Sequence, residues 1–536
     1  MTFLLLHSII SIKKSFSTND NKARKEFTAM AYILGVDIGT SGTKTVLFAE
    51  DGTPVSSATY EYPLYTPRNG YAEQDPIDWW NAVVNSISDV VRESGVPAQD
   101  IKGVGLSGQM HGLVMLDGDN KVLRNSIIWC DQRTGKEVVE ITEKVGADRL
   151  IDITANPAIT GFTAAKIMWV KNNEPQTYEK CRHILLPKDY IRFMLTGEYA
   201  TEVSDASGMQ LLDIPNRCWS DEVLEKLGID KALLPKVYES PEITGEITKK
   251  VAEMTGLAEG TPVVGGAGDN AAAAVGTGVV EDGKAFTTIG SSGVVFAHTS
   301  DISIDKLGRV HTFCCAVPGC WHVMGVTQSA GLSLKWFRDN LCWGELETAI
   351  NMGVDPYYLM DKAAMEVPIG ANKLLYMPYL NGERTPHLDP NARGAFVGLS
   401  TMHKKRDMLR AVMEGVSYSL RDCVEVMREM NINVSDMMAC GGGGTSPLWR
   451  QMLADLYECP VKTTQNKEGP ALGVALLAAV GAGIYSSVPE ACKAVIAPDK
   501  VQESIRENSE KYEKVYRFYT KLYPAMKKTF EELSQL

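Results

Sequence analysis

The chain has 536 residues, 44% of them apolar and 22% charged, a size and balance that suit two large domains with real cores rather than one. Its formal net charge of −12 argues against non-specific binding to nucleic acid or to an anionic membrane, so a phosphate site here relies on backbone amides and a metal ion rather than on a basic surface. The eleven cysteines are scattered from Cys130 to Cys492 without a Cys-x-x-Cys pair or zinc-finger histidines. They read as reduced thiols of a cytoplasmic protein, without structural zinc.

Along the chain, Leu4 to Ile12 is a short apolar run followed by Lys13 and Lys14. No basic residue precedes it and no small-x-small site follows, so a signal peptide is not indicated. The polar stretch through Phe27 reads as disordered. Residues 1–29 are expected to be an extension, with Met30 the functional beginning and a strand directly after it. Tyr32 to Asp37 is a buried-strand pattern, Ile38 to Lys44 a turn of glycine and hydroxyl residues, and Thr45 to Phe48 a second strand. Asp51-Gly52 turns into a third. Ile101 to Leu106 is a strand entering Ser107-Gly108-Gln109-Met110-His111-Gly112.

The opening device returns at Ala285 to Ile289, Gly290-Ser291-Ser292-Gly293 and Val294 to Ala297, an offset of 251 residues. Similarity at half the chain length predicts two copies of one domain, joined near residues 275–285, where Gly276-Thr277-Gly278 and Glu281-Asp282-Gly283 supply hinge and turn material. The expected domains are 30–276 and 277–536. Met408 to Met430 is a long helical pattern, and Met437 to Cys440 is a strand running into Gly441-Gly442-Gly443-Gly444. Gly469 to Pro489 has 21 residues without a charge; its Gly and Ala content predicts a buried helix rather than a membrane span. Tyr512, Val515, Tyr516, Tyr519 and Tyr523 recur at helical spacing, so the tail is expected to pack back as an amphipathic helix. The whole is α/β.

Five patterns carry candidate chemistry. Gly39-Thr40-Ser41-Gly42 and Gly290-Ser291-Ser292-Gly293 let backbone amides approach phosphates, and their hydroxyls add donors. No Walker loop occurs. One such hairpin alone is an ordinary tight turn; two in matching halves read as jaws on a nucleotide. Asp37, ending the strand before the first loop, either caps that loop or holds magnesium against phosphates. Asp269 follows the strand Val263-Val264 and a run of small residues. Read from the residues alone, it serves equally as a base for a hydroxyl or as a helix N-cap. His111, after a strand, either hydrogen-bonds a polyol or is a satisfied core group. Gly441 to Gly443 leave room for a base or ribose against backbone.

In these motifs the chain resembles the FGGY family of carbohydrate kinases from about Met30 to its C-terminal helix. Gly161 to Asn173 looks like the first family signature; Gly394 to Leu399, continuing through Asp407 to Glu414, looks like the second. Ser107 to Gly112, Leu186 to Tyr190, Ser204 to Gly208 and Asn381 to His387 are similar to segments of the members that act on D-xylulose. Trp129-Cys130-Asp131-Gln132-Arg133 resembles the family's Trp-x-Asp-x-Arg element beside the sugar, with Cys130 standing where Asn is expected. The resemblance implies two duplicated ribonuclease H-like domains of the actin/hexokinase type around a cleft. It implies ATP and Mg2+ as cofactors and Asp269 as catalytic base, with Asp37 at the metal. Gln109, Met110, His111, Asp131 and Asn270 would lie at the sugar. The phosphates would lie between Gly39, Thr40, Ser41 and Lys44 on one side and Gly290, Ser291 and Ser292 on the other, with adenosine near Gly441, Gly442 and Gly443. The reaction implied is phosphorylation of D-xylulose at its 5-hydroxyl, and a homodimer is the assembly the analogy suggests. The competing readings are a family member for L-ribulose, gluconate or glycerol, and a non-catalytic actin-like nucleotide binder. The latter would lack both Asp269 and the sugar motifs.

Overall fold

The computed structural model describes residues 31–536; the expectations for residues 1–29 and for Met30 lie outside them. The apolar run opening the first half forms strand β1 (Tyr32–Ile38), and the glycine-hydroxyl turn leads into β2 (Gly42–Ala49) and β3 (Pro54–Glu61). Completing this seven-stranded sheet are β4 (Ile101–Gly108), β5 (Ile243–Glu246), β6 (Pro262–Val264) and the short β7 (Ala267–Gly268). The order is β5-β6-β4-β1-β2-β3, with β7 also on β4.

The second half builds another seven-stranded sheet from β8 (Gly283–Ile289), β9 (Gly293–Thr299), β10 (His311–Cys314), β11 (Trp321–Thr327), β12 (Val434–Cys440), β13 (Val461–Thr464) and β14 (Pro498–Gln502). Its order is β10-β11-β9-β8-β12-β13-β14. The two sheets repeat one plan. In each, an antiparallel hairpin (β1–β2, β8–β9) is flanked by a third antiparallel strand (β3, β11) and, on the other side, by a parallel strand (β4, β12) that pairs with another parallel strand (β6, β13). The repeat first visible as an offset of 251 residues is therefore a repeat of topology.

Helices cover the sheets for reasons that are local. Helix α1 (Pro76–Ser94) starts with Asp75 accepting from the Ile77 N–H and Pro76 in the first turn, and ends on Gly95 in the left-handed conformation. It buries Trp79, Val83, Ile87 and Val90 against the first sheet. Helices α2 (Thr163–Asn173) and α3 (Pro187–Thr196) lie in the first half, and α4 (Asp269–Gly276) follows β7 directly. In the second half, α5 (Gly331–Leu341) and the long α6 (Lys405–Glu429) share the largest apolar core. The charge-free stretch forms α7 (Gly469–Gly481), buried along nearly its whole length. Among the described residues no helix is long and apolar enough to cross a membrane. The tail forms two helices, α8 (Arg506–Tyr519) and α9 (Leu522–Leu533), which bury Tyr512, Tyr516, Tyr519 and Tyr523 in that same core.

Helix α7 belongs to the second half by sequence but packs on β1 and β4 of the first sheet and crosses α4. The crossings are backbone to backbone. A Cβ on Gly35 would stand 2.0 Å from the Ala471 carbonyl oxygen, and one on Gly473 would stand 1.9 Å from that of Ala272. Only glycine permits these approaches, so the small-residue composition of α7 is what lets it seat between the halves.

Candidate active site

The parallel pairing of β1, β4 and β7 sets the centre. Asp37 lies beside Ser107, and Ser107 lies beside Ala267, so the chain leaving β7 carries Asp269 to the same end of the sheet as Asp37. Gly268 occupies the N-cap position of α4, and Asp269 is the first helical residue without a capping bond of its own. Its Oδ1 instead accepts from the backbone N–H of Asn270 at 2.7 Å and the side-chain amide of Asn270 at 2.9 Å. Burial and the neighbouring Asp37 carboxylate push the Asp269 carboxyl up to about 7. Burial likewise raises Asp37, against weaker opposing pulls from Ser107 and Lys44.

Behind Asp269 stands a fully buried charge network. Lys188 Nζ lies 2.7 Å from Asp189 and 3.5 Å from each of Glu202 and Asp205. Arg192 bonds Asp189 at 2.8 Å and the Gly265 carbonyl at 2.7 Å. Glu202 accepts from the Ser204 hydroxyl, which in turn accepts from the Gly268 N–H at 3.1 Å. The segment that delivers Asp269 is thus held at Gly265 and at Gly268. Ser204, opening the motif at 204–208, and Arg192, just beyond the motif at 186–190 and paired with its Asp189, do this holding, a role their residue types alone do not announce.

His111 adopts a left-handed backbone conformation and packs 5.1 Å from the Phe162 ring. Burial, with Lys166 nearby, drives its imidazole down to about 3, so it is neutral. Its Nδ1 lies 3.0 Å from the Gly208 carbonyl, which can only accept; Nδ1 therefore carries the proton, and Nε2 is left as an acceptor for a ligand hydroxyl. Lys166, from the first signature helix, donates to the carbonyls of His111 at 2.8 Å and Gly161 at 2.7 Å and so fixes this turn. Burial lowers its ammonium to about 7. Met110 is buried with Phe162 and with Phe313 and Met324 of the second half, so this wall lies between the two halves.

Two of the residues expected at the sugar are engaged elsewhere. Gln109 donates to Gln74 at 2.7 Å and to the Gly39 carbonyl at 3.4 Å, which puts it behind the first loop. Asp131 is fully buried and accepts from the Ala72 N–H and from Arg133. Its neighbour Trp129 is 44% exposed and donates to the Thr40 hydroxyl at 2.9 Å.

The first loop is closed by the Gly39 N–H bonding the Gly42 carbonyl at 3.0 Å and is propped by Gln74, which donates to the Thr40 carbonyl at 2.7 Å. Gln74 carries no sequence signal; it precedes α1 in an unremarkable polar run. Lys44 pairs with Glu468, at the start of α7. The second loop repeats the closure, Gly290 N–H to the Ser292 carbonyl at 3.0 Å, and α5 begins against it through Gly331 N–H to the Gly290 carbonyl at 2.7 Å. Gly441, at φ 73°, and Gly443 lie against Ile289, because β12 runs parallel to β8 and ends beside it. The structure therefore brings Gly290, Ser291, Ser292 and Gly441 to Gly443 to one end of the second sheet, as it brings Asp37, Gly39 to Ser41 and Asp269 to one end of the first.

This arrangement has counterparts. The profile of the FGGY family of carbohydrate kinases, N-terminal domain, matches residues 32–276, and that of the C-terminal domain matches residues 285–482. The chain is 40% identical to the xylulose kinase of Bacillus subtilis (strain 168) over 494 residues, 92% of this chain and 97% of that one. It superimposes on the crystal structure of a xyloylose kinase from Brucella ovis with a TM-score of 0.85 at 34% identity, covering 93% of this chain and 100% of that one. It also superimposes on a gluconate kinase from Lactobacillus acidophilus with a TM-score of 0.87 at 27% identity, covering 94% of this chain and 100% of that one. The chain belongs to the FGGY family of carbohydrate kinases.

Proposed function

We propose that the protein transfers the γ-phosphoryl group of ATP to the 5-hydroxyl of D-xylulose, giving D-xylulose 5-phosphate and ADP, in the cytoplasm. The observation that carries this reading is Asp269: a carboxyl group pushed up to about 7 at the mouth of the first sheet, just after Gly268, which packs on the side chain of Met110, the neighbour of the neutral His111. A base matched to neutral pH suits removal of a proton from a sugar hydroxyl. The likeness to xylulose kinase over nearly the whole chain selects the sugar.

Asp269 accepts the proton of the attacking hydroxyl. Asn270, bonded to Asp269 Oδ1, orients that carboxylate so that Oδ2 faces the sugar. His111 Nε2 accepts from another sugar hydroxyl, and Met110 packs against the carbon chain. Residues 30–276 supply the sugar site and the base; residues 277–536 supply the nucleotide site. Amides and hydroxyls of Thr40, Ser291 and Ser292 bind the phosphate chain, and Gly441 to Gly443 admit the adenosine. Phosphoryl transfer depends on positioning and charge stabilisation, and closure of the two halves excludes water as a competing acceptor.

Magnesium fits the residues present. Asp37 Oδ1 is buried without a hydrogen-bond partner, and Asp37 and Asp269 repel one another. Among the described residues no cluster of three ligating side chains could hold a metal by itself. That agrees with an ion taken by one or two carboxylates together with substrate phosphates. Asp37 would hold it, and when bound it would neutralise phosphate charge.

The test is ADP release from ATP and Mg2+ with D-xylulose, D-ribulose, L-ribulose, gluconate, glycerol or no sugar. D-xylulose is expected to lead the panel, and Asp269→Ala to abolish turnover while sugar still binds. A lead by gluconate would overturn the substrate, and undiminished turnover in the variant would overturn the base.

A further inference from the structure

The turn between β10 and β11 carries chemistry that phosphoryl transfer does not use. The two strands pair up to Cys314 opposite Trp321, and the Cys315 N–H bonds the Cys320 carbonyl at 3.1 Å, which places Cys315 and Cys320 opposite one another across the hairpin. Opposed residues in such a pair hold their Cβ atoms about 4.5–5.5 Å apart, within reach of a small closing movement to the shorter spacing a disulfide needs. Both thiols are free. His298, on the neighbouring strand β9, puts Nδ1 3.8 Å from Cys315 Sγ. Arg217 reaches the same turn, donating to the Cys320 carbonyl at 2.9 Å. Cys315 is buried and Cys320 is partly exposed. The turn sits at the Thr299–Trp321 end of the β9–β11 pair, whereas the phosphate loop sits at the Gly293–Thr327 end, six residues or roughly 20 Å away along the strand.

We propose that Cys320 and Cys315 form a peroxide-reactive dithiol, with Cys320 as the attacking thiol and Cys315 as the thiol that closes an intramolecular disulfide. The environment separates the two roles. The neighbouring Cys315 thiol and His298 ring hold the Cys320 thiol down to about 5, while burial holds Cys315 well above the usual thiol range. The Cys320 thiolate attacks one oxygen of hydrogen peroxide. The O–O bond breaks, Cys320 becomes a sulfenic acid, and the hydroxide released takes up the proton that the thiol had given away. Cys315 sulfur then attacks Cys320 sulfur. The S–O bond breaks, hydroxide leaves, and the Cys315 proton converts it to water. Two thiols are oxidised and one peroxide is reduced to two waters.

Cys218 provides an internal control, because it is more exposed than Cys320 and its thiol is raised rather than lowered, mainly by partial desolvation. Exposure alone predicts that Cys218 reacts first. The full-length protein is treated at pH 6 with one equivalent of hydrogen peroxide, quenched by alkylation and mapped by peptide mass spectrometry. Cys320 is expected to be lost to alkylation about tenfold faster than Cys218, since at that pH its thiolate fraction outweighs its lower intrinsic nucleophilicity. The product is expected to be a Cys315–Cys320 link that dithiothreitol reverses. Cys315→Ser is expected to stop at a Cys320 sulfenic acid that dimedone traps, and Cys320→Ser to leave Cys315 reduced. Oxidation of Cys218 ahead of Cys320, or loss of Cys320 without a link to Cys315, would overturn the proposal.

Discussion

Replacing Asp269 by Asn should abolish turnover and, in the same molecule, raise stability in a pH-dependent way. Asn keeps the oxygen that accepts from Asn270 and removes only the ionisation. The folded carboxyl titrates near 7 instead of 3.8, so its ionised form is disfavoured in the native state by burial and by Asp37. The contribution of this group to stability is complete below pH 3.8 and is lost as pH rises from there to about 7. At about 1.4 kcal/mol per pKa unit, the loss reaches about 4 kcal/mol at neutral pH and is only about 1.6 kcal/mol at pH 5. The variant, free of this penalty, should gain about 2–3 kcal/mol more over wild type at pH 8 than at pH 5. Urea unfolding without magnesium or nucleotide, followed by a probe in the first half, measures the difference. An equal gain at both pH values, or a variant less stable than wild type at pH 8, would refute the argument that Asp269 is held in strained ionisation.

The same carboxyl predicts that kcat/KM for the sugar falls as pH drops below about 7, while His111, down to about 3, contributes no step between pH 5 and 8; a profile flat down to pH 5 would contradict this. His111→Ala should raise KM for D-xylulose by about 3–10-fold, the loss of one neutral hydrogen bond, with KM for ATP unchanged. Lys188→Met leaves Asp189 buried with only Arg192 to offset it and should cost about 3–5 kcal/mol in unfolding free energy; a loss under about 1 kcal/mol would contradict the Lys188–Asp189 ion pair. Gly473→Val drives a side chain into the Ala272 carbonyl and should lower the unfolding midpoint by an amount worth about 1–3 kcal/mol, whereas the exposed Gly344, with open space around it, should accept Ala without loss.

The sequence made some of this plain. A β-hairpin with a glycine-hydroxyl turn, met twice, was enough to anticipate the duplicated sheets, because strand periodicity and turn chemistry are local properties. Asp37, Asp269 and His111 stood out as candidates because each stands at or just beyond a strand pattern, but the residues alone left the role of each open. Gln109 and Asp131 show what residue type leaves open. Both sit in motifs that read as sugar-binding, yet Gln109 props the first loop with Gln74, and Asp131 is taken up by Arg133 and the Ala72 amide. Which partner claims a polar side chain is decided by segments far away in the chain, and no local pattern records it.

The buried charges behind Asp269 make the same point about mechanism. Lys188, Asp189, Arg192, Glu202 and Asp205 are fully enclosed, an arrangement that apolar residues of similar volume could often replace at no loss of stability. What apolar residues could not do is bond the Gly265 carbonyl through Arg192 and the Gly268 amide through Ser204. Those two bonds hold the strand exit that aims Asp269, and β7 pairing with β4 holds it from the other side. A misplacement of about 1 Å at a reacting group can cost about a hundredfold in rate. The network is therefore better understood as fixing the position of Asp269, the base proposed above, than as stabilising the fold. A conservative variant such as Arg192→Lys should accordingly lower kcat by more than it lowers the unfolding midpoint would imply.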